Sequence, residues 1–314
     1  MKRSRKLLCS RLSIVLILIL TFAVRKVAAE ASILKTVDLY PNFLRCLQET
    51  GKQERARLFY ESVLQPYPEI YRRPETFKTD PATVNKYLDE VRAYLPSIRK
   101  IHERLIDEAE PIVQSFCMHF SDFDRSRVKV YFMLSLFHFD GKIPHDNPRA
   151  LFLALDGLAK FHGAKLNLGV MLSHELFHLY HFQVNPLPAS TDEVPLYREI
   201  WQEGLATYAS RSLNSDATLA DVLLDPQLAS DGPKFVPTVA RALLTQLEAT
   251  DDETTARYFF YWRGSKTPSR MGYLIGYDIV AHLTATRSLK DLSRLRGARL
   301  LHLIREEVRA LAAK

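Results

Sequence analysis

The stretch LNLGVMLSHELFHLYHF occupies positions 166–182. Its apolar residues predict a buried or amphipathic helix. The polar, proline-containing stretch from Asn185 to Pro195 should end this helix. His174 and His178 are four residues apart, so they lie one turn apart on the same helical face. The sequence therefore places two imidazoles side by side.

The pattern His174-Glu175-x-x-His178 is typical of a zinc site. Catalytic zinc takes three protein ligands, with histidine nitrogen at about 2.0–2.1 Å, and leaves one position for water. Glu175 follows the first histidine and can take a proton from that water, whose pKa the metal lowers to roughly 7. Chance gives on the order of 0.01–0.02 such matches per chain, which is low but not negligible. The alternative is that these are two ordinary histidines, in the core or in solvent. The helical context and a third candidate ligand favour the zinc site.

A second predicted helix, over about 197–213, supplies that third candidate ligand. It is Glu203, in the stretch WQEGLATY at positions 201–208. A carboxylate completes a site of two histidines and one glutamate, and Gly204 lets neighbouring backbone approach closely. These features favour Glu203 over the competing carboxylates. The competitors are Glu199, one turn earlier on the same face, and Asp192 and Glu193 in the intervening loop.

The positive charge of the chain is concentrated at its N-terminus. The chain has 43 basic and 36 acidic residues, a formal charge of +7. Residues 1–29 contain seven basic residues and no acidic one, so the remainder has 43 − 7 = 36 basic against 36 acidic residues. A neutral remainder gives no electrostatic reason to expect a nucleic-acid partner.

The same N-terminal residues have the three parts of a secretory signal. A basic start is followed by an apolar run from Leu12 to Val24 and by small residues before Glu30. We expect cleavage after Ala29 and export to the periplasm or the medium. The apolar run covers 13 residues, whereas a membrane-spanning helix needs roughly 20. An uncleaved membrane anchor, flanked by Arg25 and Lys26, is the alternative.

After cleavage two cysteines, Cys46 and Cys117, would remain. An exported protein can oxidise such a pair to a disulfide. Two buried free thiols are an equally good interpretation, since the sequence gives no distance between them.

The rest of the pattern predicts an α+β protein that is predominantly helical. A signal peptide at 1–29 precedes an N-terminal helical region at 30–123 and a catalytic region at 124–314. Two runs rich in apolar, β-branched and aromatic residues, 128–137 and 150–155, predict strands of a small sheet, with a turn at Asp140-Gly141 between them. Later helices are predicted near 236–248, 271–283 and 295–312.

HExxH followed by a helix reading Glu-Gly-Leu-Ala resembles the gluzincin group of zinc peptidases, and particularly an uncharacterised family of predicted zinc-dependent proteases. The resemblance covers roughly 128–292 and implies a zincin-like fold, bound zinc and a peptide or protein substrate. The chain is also similar in part to the aminopeptidase N family, in which Trp-x-x-Glu-Gly-x-Ala carries the third zinc ligand. The other large zincin group, with HExxHxxGxxH, is excluded, because His181 stands at the glycine and Val184 at the third histidine.

Two departures argue against aminopeptidase specificity. There are 24 residues between His178 and Glu203, more than those aminopeptidases use, and the Gly-x-Met-Glu-Asn strand that binds a substrate amino group is absent from the sequence. An endopeptidase or a specialised protease is favoured instead. A strand at 151–155 could be the edge along which a peptide substrate lies, or an ordinary member of the sheet.

By the same resemblance, Tyr273 occupies the place of a tyrosine that supports the negative charge on the carbonyl oxygen. Tyr277, one turn later, is the second choice, and buried packing of both tyrosines is an equal alternative. His181 could be a ligand or support one, but three histidines on one helix strain a tetrahedral site, so a structural role is favoured; His282 could face the site from the late helix, and a packing role is favoured there too. His138, His145 and His162 show no metal-like spacing. Two competing functions stay open: a non-catalytic exported binding protein, and a zinc hydrolase of another amide or ester.

Overall fold

The structure is a computed structural model, and it describes residues 34–72, 77–144, 146–186, 194–261 and 267–314. The predicted signal peptide and its cleavage site lie outside the described residues. The same is true of three residues considered above, His145, Asp192 and Glu193.

A small mixed sheet lies at the centre of the described chain. Its strands are β1 (Lys35–Asp38), β2 (Lys129–Met133), β3 (Gly141–Lys142) and β4 (Ala150–Ala154), in the order β1-β2-β4-β3. β1 and β4 run parallel to β2, and β3 runs antiparallel to β4. All five residues of β4 are buried, which is why its sequence is a continuous apolar run.

The structure decides one alternative that the sequence left open for this sheet, and it corrects one prediction. β4 lies between β2 and β3, so it is an interior strand, and among the described strands the edges are β1 and β3. Asp140-Gly141 is not the turn, because Gly141 already belongs to β3. The chain turns earlier, where Leu136 and Phe137 both adopt positive φ.

The helices were predicted more closely. The segment predicted at 271–283 is a helix with those bounds, and those predicted at 166–182 and 197–213 each begin and end within two residues of the predicted limits. β1 lies in the region predicted to be helical, and it was not predicted. The described α-helices are α1 (Tyr40–Gln48), α2 (Lys52–Phe59), α3 (Pro68–Tyr71), α4 (Pro81–Glu90), α5 (Leu95–His119), α6 (Leu155–Phe161), α7 (Leu168–Val184), α8 (Leu196–Leu213), α9 (Leu219–Leu223), α10 (Pro226–Asp231), α11 (Val236–Leu243), α12 (Asp252–Phe259), α13 (Met271–Leu283), α14 (Leu289–Leu292) and α15 (Gly297–Ala312).

The fold class is therefore α+β and predominantly helical, as predicted. The division at 123/124 stays a prediction. Among the described residues, none of the helices has the length and apolar character needed to cross a membrane. Cys46 and Cys117 are both free thiols in this part of the chain.

Three helices position the site. α7 carries the HExxH residues, α8 packs beside it, and α13 crosses α8 at very short range. A Cβ built on Gly204 of α8 would lie 2.4 Å from the carbonyl oxygen of Gly276 in α13. Because real atoms do not approach that closely, only glycine permits this helix crossing.

Candidate metal centre

The first two donors come from α7. Asn167 caps the helix by accepting a hydrogen bond from the backbone N–H of Val170 at 3.1 Å. His174 and His178 then follow on one face, and their Nε2 atoms are 3.0 Å apart. Because His178 is buried and His174 only partly exposed, both imidazoles face inward rather than into solvent.

The third donor comes from α8. Glu203 places Oε2 3.2 Å from His174 Nε2 and Oε1 3.5 Å from His178 Nε2. In the described part of the chain, one ligating atom from each of these three residues lies within 4.8 Å of the others.

This arrangement fits zinc. Two ligands at about 2.0–2.1 Å on a tetrahedron lie roughly 3.3–3.4 Å apart, and the observed separations of 3.0, 3.2 and 3.5 Å bracket that value. Two imidazoles and one carboxylate are also a donor set that catalytic zinc uses. The structure therefore brings together the three residues that the sequence proposed as ligands.

The competing carboxylate of Glu199 lies in the same cleft but outside this cluster of described donors. Burial raises its pKa to about 7, and the nearby charge of Glu203 adds to the shift. For Glu203 itself, burial is outweighed by the two imidazoles, led by His178, and its pKa lies well below the usual range. The anionic form is thus favoured at Glu203 and disfavoured at Glu199.

Glu175 lies beneath the edge strand β3. A Cβ built on Gly141 would be 2.8 Å from Glu175 Oε1, so a side chain at position 141 would press on this carboxylate. Burial raises the pKa of Glu175; Asp140 and Glu203 add to the rise, while His174 and His178 oppose it. Such a carboxylate is a better proton acceptor than an exposed one.

A cleft of about 370 Å³ opens above these residues. β3 forms one side of it, with Gly141 and Lys142, and Leu223, Leu224 and Phe260 form an apolar wall. A space of this size can take a few side chains of a peptide.

The two candidate tyrosines have different surroundings. Tyr273 lines the cleft, whereas the ring of Tyr277 packs against Tyr208 with centroids 5.9 Å apart. Burial raises the pKa of Tyr273, so its hydroxyl keeps its proton and can donate a hydrogen bond.

The other histidines that the structure describes lie outside the cluster of three donors. His181 is buried beside Asn185, and His282 is exposed and pairs with Glu307 at 2.7 Å. His162 Nε2 lies 2.6 Å from Asp140 Oδ2. His138 stacks edge-on against Phe77.

Sequence reasoning missed three features of the cleft. Asp140 lines it, and although burial would raise the pKa of this carboxyl, the bond to His162 lowers it. Arg270 also lines it, immediately before α13. β3 has only two residues, Gly141 and Lys142, too few to show an alternating pattern. A dipeptide strand and a residue between helices leave no periodic signal.

The fold and the donors form a candidate zinc centre of two histidines and one glutamate, and the comparison with known families supports the coarser class of zinc-dependent proteases. Residues 151–296 match the model of a family described as "Predicted Zn-dependent protease (DUF2268)". The match includes all three proposed ligands, Glu175 and Tyr273, and it supports the family resemblance found from the sequence. No curated protein and no solved structure matches the chain.

Proposed function

We propose that this protein is a zinc-dependent peptidase that uses Glu175 as its general base. His174, His178 and Glu203 hold the metal in this proposal. The observation that carries it is the convergence of two imidazole nitrogens and the two oxygens of one carboxylate, with N–N and N–O distances of 3.0–3.5 Å, and a half-buried carboxylate adjacent to the first donor.

Bound zinc supplies a Lewis acid that polarises the scissile carbonyl and lowers the pKa of water. Glu175 accepts the proton that the attacking water loses and passes it to the leaving amine. Tyr273 donates a hydrogen bond to the carbonyl oxygen as negative charge develops there.

The edge strand β3 orients the substrate in this proposal. Gly141 and Lys142 line the cleft directly above Glu175, and a peptide in extended conformation can add to such an edge through main-chain hydrogen bonds. The absence of a side chain at Gly141 leaves room for the general base.

Zinc stoichiometry tests the ligand set. We expect one zinc ion per wild-type chain and a large loss of zinc in Glu203→Gln, because an amide is a poor substitute for an anionic ligand. Glu199→Gln is the matched control, one turn away on the same helix, and should keep the metal. Loss of zinc in Glu199→Gln but not in Glu203→Gln would reverse the assignment.

Glu175→Gln tests the chemistry. It should retain zinc and lose about 10²–10⁴-fold in kcat on a digest of a peptide library, since a positioned general base contributes that much. Zinc binding without cleavage by the wild type would indicate a non-catalytic binding protein, and cleavage of other amides or esters alone would indicate another hydrolase.

We also propose export, based on the basic start, apolar run and small residues of 1–29. Edman sequencing of protein recovered outside the cytoplasm should begin at Glu30. A sequence beginning at Met1 would instead favour the membrane-anchor alternative.

A further inference from the structure

Arg270 is an unusual residue of the cleft. Its backbone adopts the left-handed conformation, with φ 62° and ψ 24°, at the residue that precedes α13. A residue with a Cβ pays roughly 1–2 kcal/mol for this conformation. Strained backbone of this kind clusters at functional sites, and Arg270 shares it with Leu224, which also lines the cleft.

The conformation directs the guanidinium into the cleft beside Tyr273. The side chain is only 13% exposed, and its Cζ lies 4.6 Å from the centre of the Tyr273 ring. This cation–π contact holds the guanidinium beside the ring of the proposed oxyanion donor.

Beyond its contact with Tyr273, the polar contacts of the Arg270 guanidinium with Tyr261 and Asp225 are long. Nη1 lies 3.5 Å from the Tyr261 hydroxyl and 4.0 Å from Asp225 Oδ2. Charge-assisted hydrogen bonds are normally about 2.7–2.9 Å long. Asp225 is also engaged through Oδ1, which accepts the backbone N–H of Leu228 at 2.9 Å. The guanidinium is therefore held in place by weak contacts rather than neutralised by a close ion pair with described residues.

The surroundings indicate what Arg270 binds. Its neighbours in the cleft include the apolar wall of Leu223, Leu224 and Phe260. The cleft is lined by polar and charged side chains as well as by these apolar ones. A guanidinium held in such a partly enclosed space binds a planar anion well, because its fork of donors matches a carboxylate. Carboxylates are the anionic groups that peptides carry.

We propose that Arg270 binds a carboxylate of the substrate, so that the protein selects peptides with an acidic side chain or a free C-terminus close to the cleaved bond. This inference rests on the proposed peptidase function. It names a specificity residue for that function, separate from the metal ligands and the general base.

Matched peptides test the proposal. Two pools of heptapeptides carry Glu or Gln at one fixed position, and each pool is made with a free or an amidated C-terminus. The wild type should prefer the carboxylate form by at least about tenfold in kcat/KM, the effect of one charged hydrogen bond. A Glu/Gln preference identifies a side chain as the ligand, and an acid/amide preference identifies the C-terminus.

The decisive measurement compares variants by one ratio, the kcat/KM for the carboxylate form of the peptide divided by the kcat/KM for its amide form. It should fall to near 1 in Arg270→Met and to an intermediate value in Arg270→Lys, which retains the charge but not the fork. Arg257→Met is the matched control, because Arg257 is exposed on α12 and pairs with Glu253. Its ratio should equal that of the wild type. Arg270→Lys also provides a test if Arg270→Met does not fold.

Three outcomes would overturn the inference: a wild-type ratio near 1 in every pool, an unchanged ratio in both Arg270 variants, or a ratio lost in Lys142→Met instead. Calorimetric binding of the same pools to zinc-loaded Glu175→Gln separates this failure from failure of the peptidase proposal. Tighter binding of the carboxylate form with no cleavage by the wild type would refute the peptidase and keep the carboxylate site. Cleavage by the wild type with no preference for the carboxylate form would refute the carboxylate site and keep the peptidase proposal.

Discussion

Glu199 and Glu203 lie on successive turns of the same helix face, yet their pKa values are shifted in opposite directions. Two imidazoles face Glu203 and lower its pKa, whereas burial and the charge of Glu203 raise the pKa of Glu199 to about 7. The distinction depends on where α7 crosses α8. In the sequence, Glu199 and Glu203 lie on the same face of one predicted helix, so helical position did not decide between them. The choice of Glu203 depended on the residues beside it and on the family resemblance.

At the same scale, we predict that Tyr273→Phe lowers kcat about a hundredfold with little change in KM. Removal of a hydrogen-bond donor to the developing oxyanion has an effect of about that size. Steady-state kinetics on a peptide that the wild type cleaves will measure it. Tyr277→Phe is the control and should stay within about twofold, because Tyr277 packs against Tyr208. An unchanged kcat in Tyr273→Phe would remove this residue from the mechanism.

At the scale of the elements, the crossing of α8 and α13 couples the proposed ligand Glu203 to Tyr273. Gly204 and Gly276 meet backbone to backbone, and a Cβ built on Gly276 would lie 2.4 Å from the carbonyl oxygen of Ile200. Neither helix can be displaced without altering the distance between the proposed ligand and the proposed oxyanion donor.

We therefore predict that Gly276→Ala lowers the free energy of unfolding by about 2 kcal/mol or more. Overpacking against backbone outweighs the roughly 1 kcal/mol that alanine gains in helix propensity. Urea denaturation will measure the change, and zinc content should fall with it. Gly51→Ala is the control, since its Cβ would meet nothing closer than 3.6 Å. An equally small effect at both positions would contradict the proposed coupling.

The turn before β3 shows what could not be predicted from the sequence. Leu136 and Phe137 adopt positive φ, which their side chains disfavour. Buried Asp156 holds them there, since its carboxylate accepts the backbone N–H groups of Ser135 at 2.8 Å and Phe137 at 2.9 Å. A hydrogen bond between residues about twenty positions apart leaves no pattern in the local sequence. The turn was consequently placed at Asp140-Gly141, where the usual turn dipeptide stands.

At the scale of the whole molecule, the long helices and the two five-residue strands β2 and β4 were predicted, whereas the two shorter strands were not. Helices α7, α8 and α13 each extend over three or more turns, and the sequence located all of them. β1 has four residues and β3 two, and neither was predicted. The candidate site divides in the same way, because the HExxH spacing gave His174 and His178 directly, whereas Arg270 depends on a backbone conformation that no pattern reveals.

The whole molecule also carries a buried acid that affects its pH stability. Burial of Asp278 on α13 raises its pKa from 3.8 to about 6, and Lys314 opposes the shift. Because the folded-state pKa is the higher one, the folded chain disfavours the carboxylate. The contribution of this group to stability is therefore greatest below pH 4, falls as the pH rises from about 4 to about 6, and is constant above that range.

Asp278→Asn should consequently stabilise the protein by about 1–3 kcal/mol at pH 8, where the wild type must keep a partly buried charge. The gain should shrink to less than about 1 kcal/mol at pH 4, because both side chains are then neutral in the folded state. Urea denaturation of metal-free protein at both values measures the difference without interference from zinc release. Asp216→Asn, at an exposed aspartate between α8 and α9, should show no such trend. A gain that is the same at pH 4 and pH 8 would mean that Asp278 is solvated and that its removal acts through helix propensity instead.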